Sequence, residues 1–226
     1  MNYKNREDQQ YEEYWKVSLA KTDIHSAEFI GALKTVLNAI DKKKAFNKIG
    51  TGGANPDYAN LQKKIVPFLS KSKKEATDKE ASARKLINTY VKLGFVNPLL
   101  QTYHSFAKDF IFSNSNKERN VIYAKIFLEN SKFNAASSVV DNCKTSSARF
   151  LIRTLEKCEQ LTEEDLLGIM FTNPDEYPNG YLSKEEVLER TRFVKNIDAF
   201  DRKYNQVGHF KSALKPLHEY IIFING

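Results

Sequence analysis

Arg84 and Asn88 stand four residues apart, a spacing that puts both side chains on one helical face. Arginine pairs bidentately with guanine and asparagine with adenine, whereas lysine grips phosphate as a point charge. Lys85, Asn88 and Lys92 recur at intervals of three and four on the same stretch, and Lys73, Lys74 and Lys79 lead into it. The spacing predicts a basic recognition helix that enters the major groove of duplex DNA. Lys42–Lys44, Lys63, Lys64 and Lys71 would join Lys73 and Lys74 in holding phosphates. A second pair with the same spacing, Arg149 and Arg153, is a weaker DNA-binding candidate. So are Arg190, Arg192, Arg202 and Lys203, which alternate with acidic residues and read equally as surface ion pairs.

Catalytic chemistry is hard to assemble from the same sequence. His25, His104, His209 and His218 are scattered singly, none in a metal-binding spacing. Cys143 and Cys158 are too few for a four-cysteine zinc site, and they and His104 read as packing or surface residues. Gly50-Thr-Gly-Gly53 lacks the Gly-Lys-Ser/Thr of a phosphate loop, and no Gly-x-Ser-x-Gly elbow is present. Many nucleases hold Mg²⁺ with Pro-Asp followed by Asp/Glu-x-Lys on apolar strands. Pro56-Asp57 and Pro174-Asp175 occur here, but neither is followed by that pattern. No catalytic or metal-ligating set is therefore expected in this chain.

The elements that would position the basic residues are helices. Ser26 is a candidate N-cap for a stripe of Phe29, Ile30, Leu33, Val36, Leu37 and Ile40. Tyr58, Leu61, Ile65, Phe68 and Leu69 give a second helix, with Pro67 near its exit. A third is expected over 74–93 with Ala81, Leu86, Ile87, Tyr90 and Val91 inward and Gly94 as its C-cap glycine. Phe95-Val96 then reads as a short strand, so this part resembles a helix-turn-helix with a wing-like exit. Further helices are expected over 106–112, 121–128, 146–156, 166–171, 183–200 and 207–217. Thr162 and Ser183 are marked as N-caps by acidic residues in the turn that follows. The apolar run at 219–226 reads as a strand reaching a turn, as expected of a fragment or a product ending at a domain edge.

The charge is uneven. Residues 1–100 carry 18 basic and 11 acidic side chains, while residues 101–226 carry 17 of each, so the formal +7 belongs to the first part. Within it, residues 41–92 carry 13 basic and 5 acidic side chains. Such a region attracts phosphate backbone, acidic protein or anionic lipid. No apolar run spans a bilayer, and the first residues lack the apolar stretch of a secretory signal. With two cysteines, the expectation is a reduced, cytoplasmic protein.

The run Ala148–Phe171, a helix, a Leu161-Thr162 cap and a second helix, resembles a segment of type II restriction endonucleases, nearest to the AlwI-like and nicking-enzyme relatives. Trp15-Lys-Val-Ser-Leu19 is similar to their opening, Arg84–Phe95 to their first winged-helix unit, and Phe127–Ser138 to the segment before their second. The resemblance covers roughly residues 14–223 as an order of elements. It implies a mainly α fold of two winged-helix or helix-turn-helix-like units with short β-strands. Residues 1–100 would be the basic DNA-binding unit and 101–226 the second helical, winged-helix-like unit. It implies sequence-specific binding of double-stranded DNA, as the recognition part of a restriction-modification hydrolase. The nuclease, with its Mg²⁺, would reside in a separate domain or subunit, and the family's catalytic residues match no position here. A stand-alone winged-helix transcriptional regulator and a helical protein-interaction adaptor remain open as alternatives.

Overall fold

The computed structural model describes residue 15 and residues 19–42, 56–130, 144–193 and 206–217. They are mainly helical, and no β-strand occurs among them; the sole β pairing there is an isolated antiparallel bridge between Val96 and Tyr103. The expected short strands are thus reduced to one bridge in the first half. The candidate strand at 219–226 and the loops at 49–55 and 131–143 lie outside the described residues.

Two compact units divide the chain. The basic unit comprises Leu19–Phe127 and Ala213–Gly226; the Trp15 unit comprises Met1–Ser18 and Leu128–Ser212. The boundary expected at residue 100 falls inside the basic unit.

In the basic unit, α1 (Ala27–Asp41) begins where the Ser26 side chain accepts the Phe29 N–H, and it buries Phe29, Leu33, Val36, Leu37 and Ile40. Ile30 of the expected stripe is only half-buried. Helix α2 (Pro56–Ile65) opens on a proline, whose missing N–H costs nothing in a first turn, and gives way to a 3₁₀ turn at Val66–Phe68 around Pro67. The third helix is not continuous. A single turn, α3 (Lys71–Lys74), precedes α4 (Lys79–Lys92), and Glu75–Asp78 between them is not helical.

Helix α4 buries Ser82, Ala83, Leu86, Ile87, Thr89 and Tyr90. Ala81 and Val91, expected inward, are half-exposed because the buried stripe is centred on Ala83, Leu86 and Tyr90. The Thr89 hydroxyl donates to Lys85 O within the helix and accepts the Ala20 N–H, so a polar side chain sits buried without loss. The helix ends in a Schellman motif: Phe95 N–H reaches Tyr90 O, Gly94 N–H reaches Val91 O, and Gly94 has φ +85°. Helices α5 (Ala107–Phe112) and α6 (Asn116–Asn130) complete the described helices of the segment. Phe29, Tyr90, Phe95, Phe110 and Tyr123 form an aromatic core, with Phe29–Tyr90 and Phe95–Phe110 centroids 4.9 Å apart. Such edge-to-face pairs add about 0.5–1.5 kcal/mol each beyond their buried area.

The Trp15 unit holds α7 (Ser147–Cys158), α8 (Glu163–Met170), α9 (Lys184–Phe193) and most of α10 (Gln206–Leu214). Trp15 is fully buried against Phe150 and Phe210. Its backbone N–H donates to Met170 O and its indole N–H to Thr172 O at 2.8 Å. Thr162 and Asp165 form a reciprocal capping box on α8, and Ser183 and Glu186 do the same for α9.

Candidate nucleic-acid interface

Helix α4 turns its buried stripe toward α1, α2 and the 3₁₀ turn at Val66–Phe68. At 100° per residue, Arg84, Lys85, Asn88 and Lys92 fall on the opposite side. Lys85 is exposed, and Arg84, Asn88 and Lys92 are half-exposed. Neither the Arg84 guanidinium nor the Asn88 amide makes a side-chain hydrogen bond among the described residues. Arg84 lies near Tyr58 on α2: burial pushes that phenol up to about 12, and the guanidinium charge pulls in the opposite direction.

Lysines surround this face. Lys63 and Lys64 end α2, Lys71, Lys73 and Lys74 form most of α3, and Lys79 opens α4; all are exposed. Among the described residues, none of these lysines, nor Arg84 or Lys85, makes an ion pair. Lys74 still senses the start of α1. The Glu28 carboxyl is held below its ordinary range first by the Lys21 hydrogen bond, with a smaller contribution from the Lys74 charge. Lys42 is exposed, and Lys43 and Lys44 lie outside the described residues.

A short turn held by a single bridge follows directly. Val96 and Tyr103 face each other, with His104 N–H donating to Phe95 O and Asn97 N–H to Thr102 O. The Asn97 side chain accepts from Gln101 N and Thr102 N, closing the turn. Tyr103 donates to Asp41 at 2.7 Å and Lys108 pairs with the same carboxylate at 2.9 Å, bracing this arm against α1 and α5. This brace is absent from the sequence reading, because its three members are 5 to 67 residues apart in the chain and belong to no motif.

In the Trp15 unit, Arg149 and Arg153 are exposed on α7, one turn apart as expected. Arg153 and Lys157 both lie over the Tyr181 ring, 5.8 Å from its centroid. Arg190 is not a surface residue: it is buried and donates to the Tyr177 hydroxyl at 3.2 Å, which removes it from the candidates. Arg192 is exposed, and Arg202 and Lys203 lie outside the described residues.

Three of the other reactive side chains have structural roles. Asp175 accepts the backbone N–H groups of Lys144 and Thr145 at 2.7 and 2.9 Å. His104 accepts the Phe106 N–H and stacks on its ring. Cys158 is buried with its thiol raised by desolvation. Among the described residues, no group of three His, Cys, Asp or Glu side chains could hold a metal ion, and no helix is long and apolar enough to cross a membrane. Comparison with family models, curated proteins and solved structures finds no match to this chain.

Proposed function

We propose that this chain binds duplex DNA sequence-specifically, with the outward face of α4 in the major groove and the flanking lysines on phosphates. In this reading the basic unit is winged-helix-like, α4 is its recognition helix, and the Val96–Tyr103 bridge is a minimal wing. The observation that carries it is the pairing of an uncommitted Arg84 and Asn88, one turn apart, within a field of exposed lysines free of ion pairs among the described residues. Arg and Asn side chains that are not spent on the protein's own hydrogen bonds are available to base edges. Arg149 and Arg153 would supply a second, weaker contact. The biological setting proposed is the recognition part of a cytoplasmic restriction endonuclease, whose Mg²⁺-dependent hydrolase is a separate domain or subunit.

The test is a salt titration of the full chain on a random duplex library and on a site selected from it. Affinity should fall steeply with salt. Arg84→Ala and Asn88→Ala should each cost about 1–3 kcal/mol on the selected site and relax choice at one base pair. Lys73→Ala with Lys74→Ala should weaken all duplexes alike and lower the salt slope by roughly one per lysine. A flat salt response sinks the proposal. Full discrimination by both α4 variants would move the reading role to Arg149 and Arg153.

A further inference from the structure

Two cations of the Trp15 unit share one aromatic ring. Arg153 and Lys157 lie four residues apart on α7, about 6 Å along its axis, and both are exposed. Each stands over the ring of Tyr181, 5.8 Å from its centroid. The face of a ring attracts a cation, but two cations brought to the same ring also repel each other, and an anion relieves that repulsion. The fold does not supply one. Among the described residues neither Arg153 nor Lys157 makes an ion pair or a side-chain hydrogen bond, although Glu156 and Glu159 are exposed on the same stretch of chain.

The backbone makes room for the guanidinium. Gly180 closes a turn in which its N–H donates to Tyr177 O at 2.8 Å, and its φ of +73° lies in the left-handed region that favours glycine. A Cβ on Gly180 would lie 2.8 Å from a terminal nitrogen of Arg153 and would displace the guanidinium. Arg153 therefore rests against both Gly180 and Tyr181 with its donors unspent. Its planar fork matches two oxygens of a phosphoryl group, and the Lys157 ammonium adds a second positive charge. That pair of charges suits a phosphomonoester, which is close to a dianion at neutral pH, better than a phosphodiester, which carries a single charge.

We propose that Arg153, Lys157 and Tyr181 form a site for a phosphomonoester dianion, supplied as free phosphate or as the phosphate of a nucleoside monophosphate. The site goes beyond the DNA-binding reading and does not depend on α4. The test is an NMR titration of the isotope-labelled full chain at constant ionic strength and about pH 8, where the monoester is a dianion. It follows the backbone N–H of residue 180 and of Lys157. The probes are inorganic phosphate, adenosine monophosphate and dimethyl phosphate. The first two should give saturable shifts, and the tighter of them identifies the source; the monoanionic diester should bind about tenfold more weakly or worse. Arg153→Gln and Lys157→Gln, both at exposed positions, should each weaken phosphate about tenfold. Gly180→Ala keeps both charges but moves the guanidinium off its seat, and it should weaken phosphate too, with a thermal melt confirming that the variant is folded. Shifts that do not saturate, equal affinity for dimethyl phosphate, or binding that survives Arg153→Gln or Gly180→Ala unchanged would overturn the site. Failure of the chain to bind duplex DNA would leave these results as they stand.

Discussion

The phenol of Tyr90 donates a 2.8 Å hydrogen bond to the carbonyl oxygen of Phe29, and the two rings meet edge to face. Tyr90 follows Asn88 by two residues and so points to the opposite side of α4. The bond therefore fixes the rotation of α4 about its own axis relative to α1, and with it the direction in which Arg84 and Asn88 face. Burial holds the phenol well above its ordinary pKa, so it remains a neutral donor.

Tyr90→Phe keeps the ring and deletes the donor. The expected loss is about 1 kcal/mol of stability, the net value of one buried hydrogen bond. Urea unfolding measures it as a lower midpoint with an unchanged slope. A loss near zero would mean that ring packing alone sets the rotation of α4.

The first helices were legible because their signals are local. Ser26 and the stripe from Phe29 to Ile40 specify α1 within one short segment, and Thr162 with Asp165 or Ser183 with Glu186 announce helix starts three residues ahead. The break between α3 and α4 was not legible. Lys74, Glu75 and Ala76 favour a helix by propensity, and the only local signal for the break is Thr77-Asp78, two poorer helix formers of which Asp78 is the N-cap residue of α4. The outward setting of Arg84, Lys85 and Asn88 followed from spacing alone. Burial of Arg190 did not, because its partner Tyr177 lies across a loop from it. That the expected strand at Phe95-Val96 is a single bridge could not be read either, since Val96 and Tyr103 pair through backbone geometry that the turn at Asn97 imposes.

Two glycines should respond differently to alanine. A Cβ on Gly168 of α8 would lie 2.8 Å from Thr191 N and 3.0 Å from Thr191 Cα, both backbone atoms of α9. The helices cannot approach as they do with a methyl group between them. Gly168→Ala should cost about 1–3 kcal/mol, the range for forcing extra volume into a packed core. A Cβ on Gly31 would instead meet the edge of the Phe68 ring, a half-buried side chain that can turn aside. Gly31→Ala should therefore cost less, and paired thermal melts decide the order. Equal losses would refute the distinction between backbone and side-chain neighbours.

Alkaline pH should weaken the basic unit through Tyr58. Burial raises its phenol to about 12, so the folded chain keeps a proton that the unfolded chain releases near 10. The stabilisation is complete below about pH 10 and is lost as pH rises toward about 12. Urea midpoints across this window, followed with phenolate absorbance, should fall more steeply for the wild type than for Tyr58→Phe. Parallel slopes would exclude Tyr58 as a contributor.

The brace under the Val96–Tyr103 bridge should fail in acid. The Tyr103 hydrogen bond, and then that of Lys108, hold the Asp41 carboxyl below its ordinary value. Its contribution is present above about pH 4, the unfolded carboxyl value, and is lost as pH falls through the lower folded one. Asp41→Asn should speed amide exchange at His104 and Asn97, whose N–H groups form the bridge, and leave α4 amides such as Leu86 unchanged. Acidified wild type should approach the variant. Unaltered exchange at His104 would show that the bridge stands without the brace.

Trp15 is the sole tryptophan of the chain, and its indole bonds to a carbonyl 157 residues away in sequence. During synthesis at about 5–20 residues per second, roughly 8–30 s pass between the emergence of Trp15 and that of Thr172. Phe210, which completes the ring cluster, arrives later still. The segment Leu19–Phe127 is made in one piece during that interval and can begin to pack its helices around Phe29 and Tyr90. A nascent chain therefore leaves its one indole unburied while the segment that follows it folds, which makes Trp15 emission a clock for the last closure.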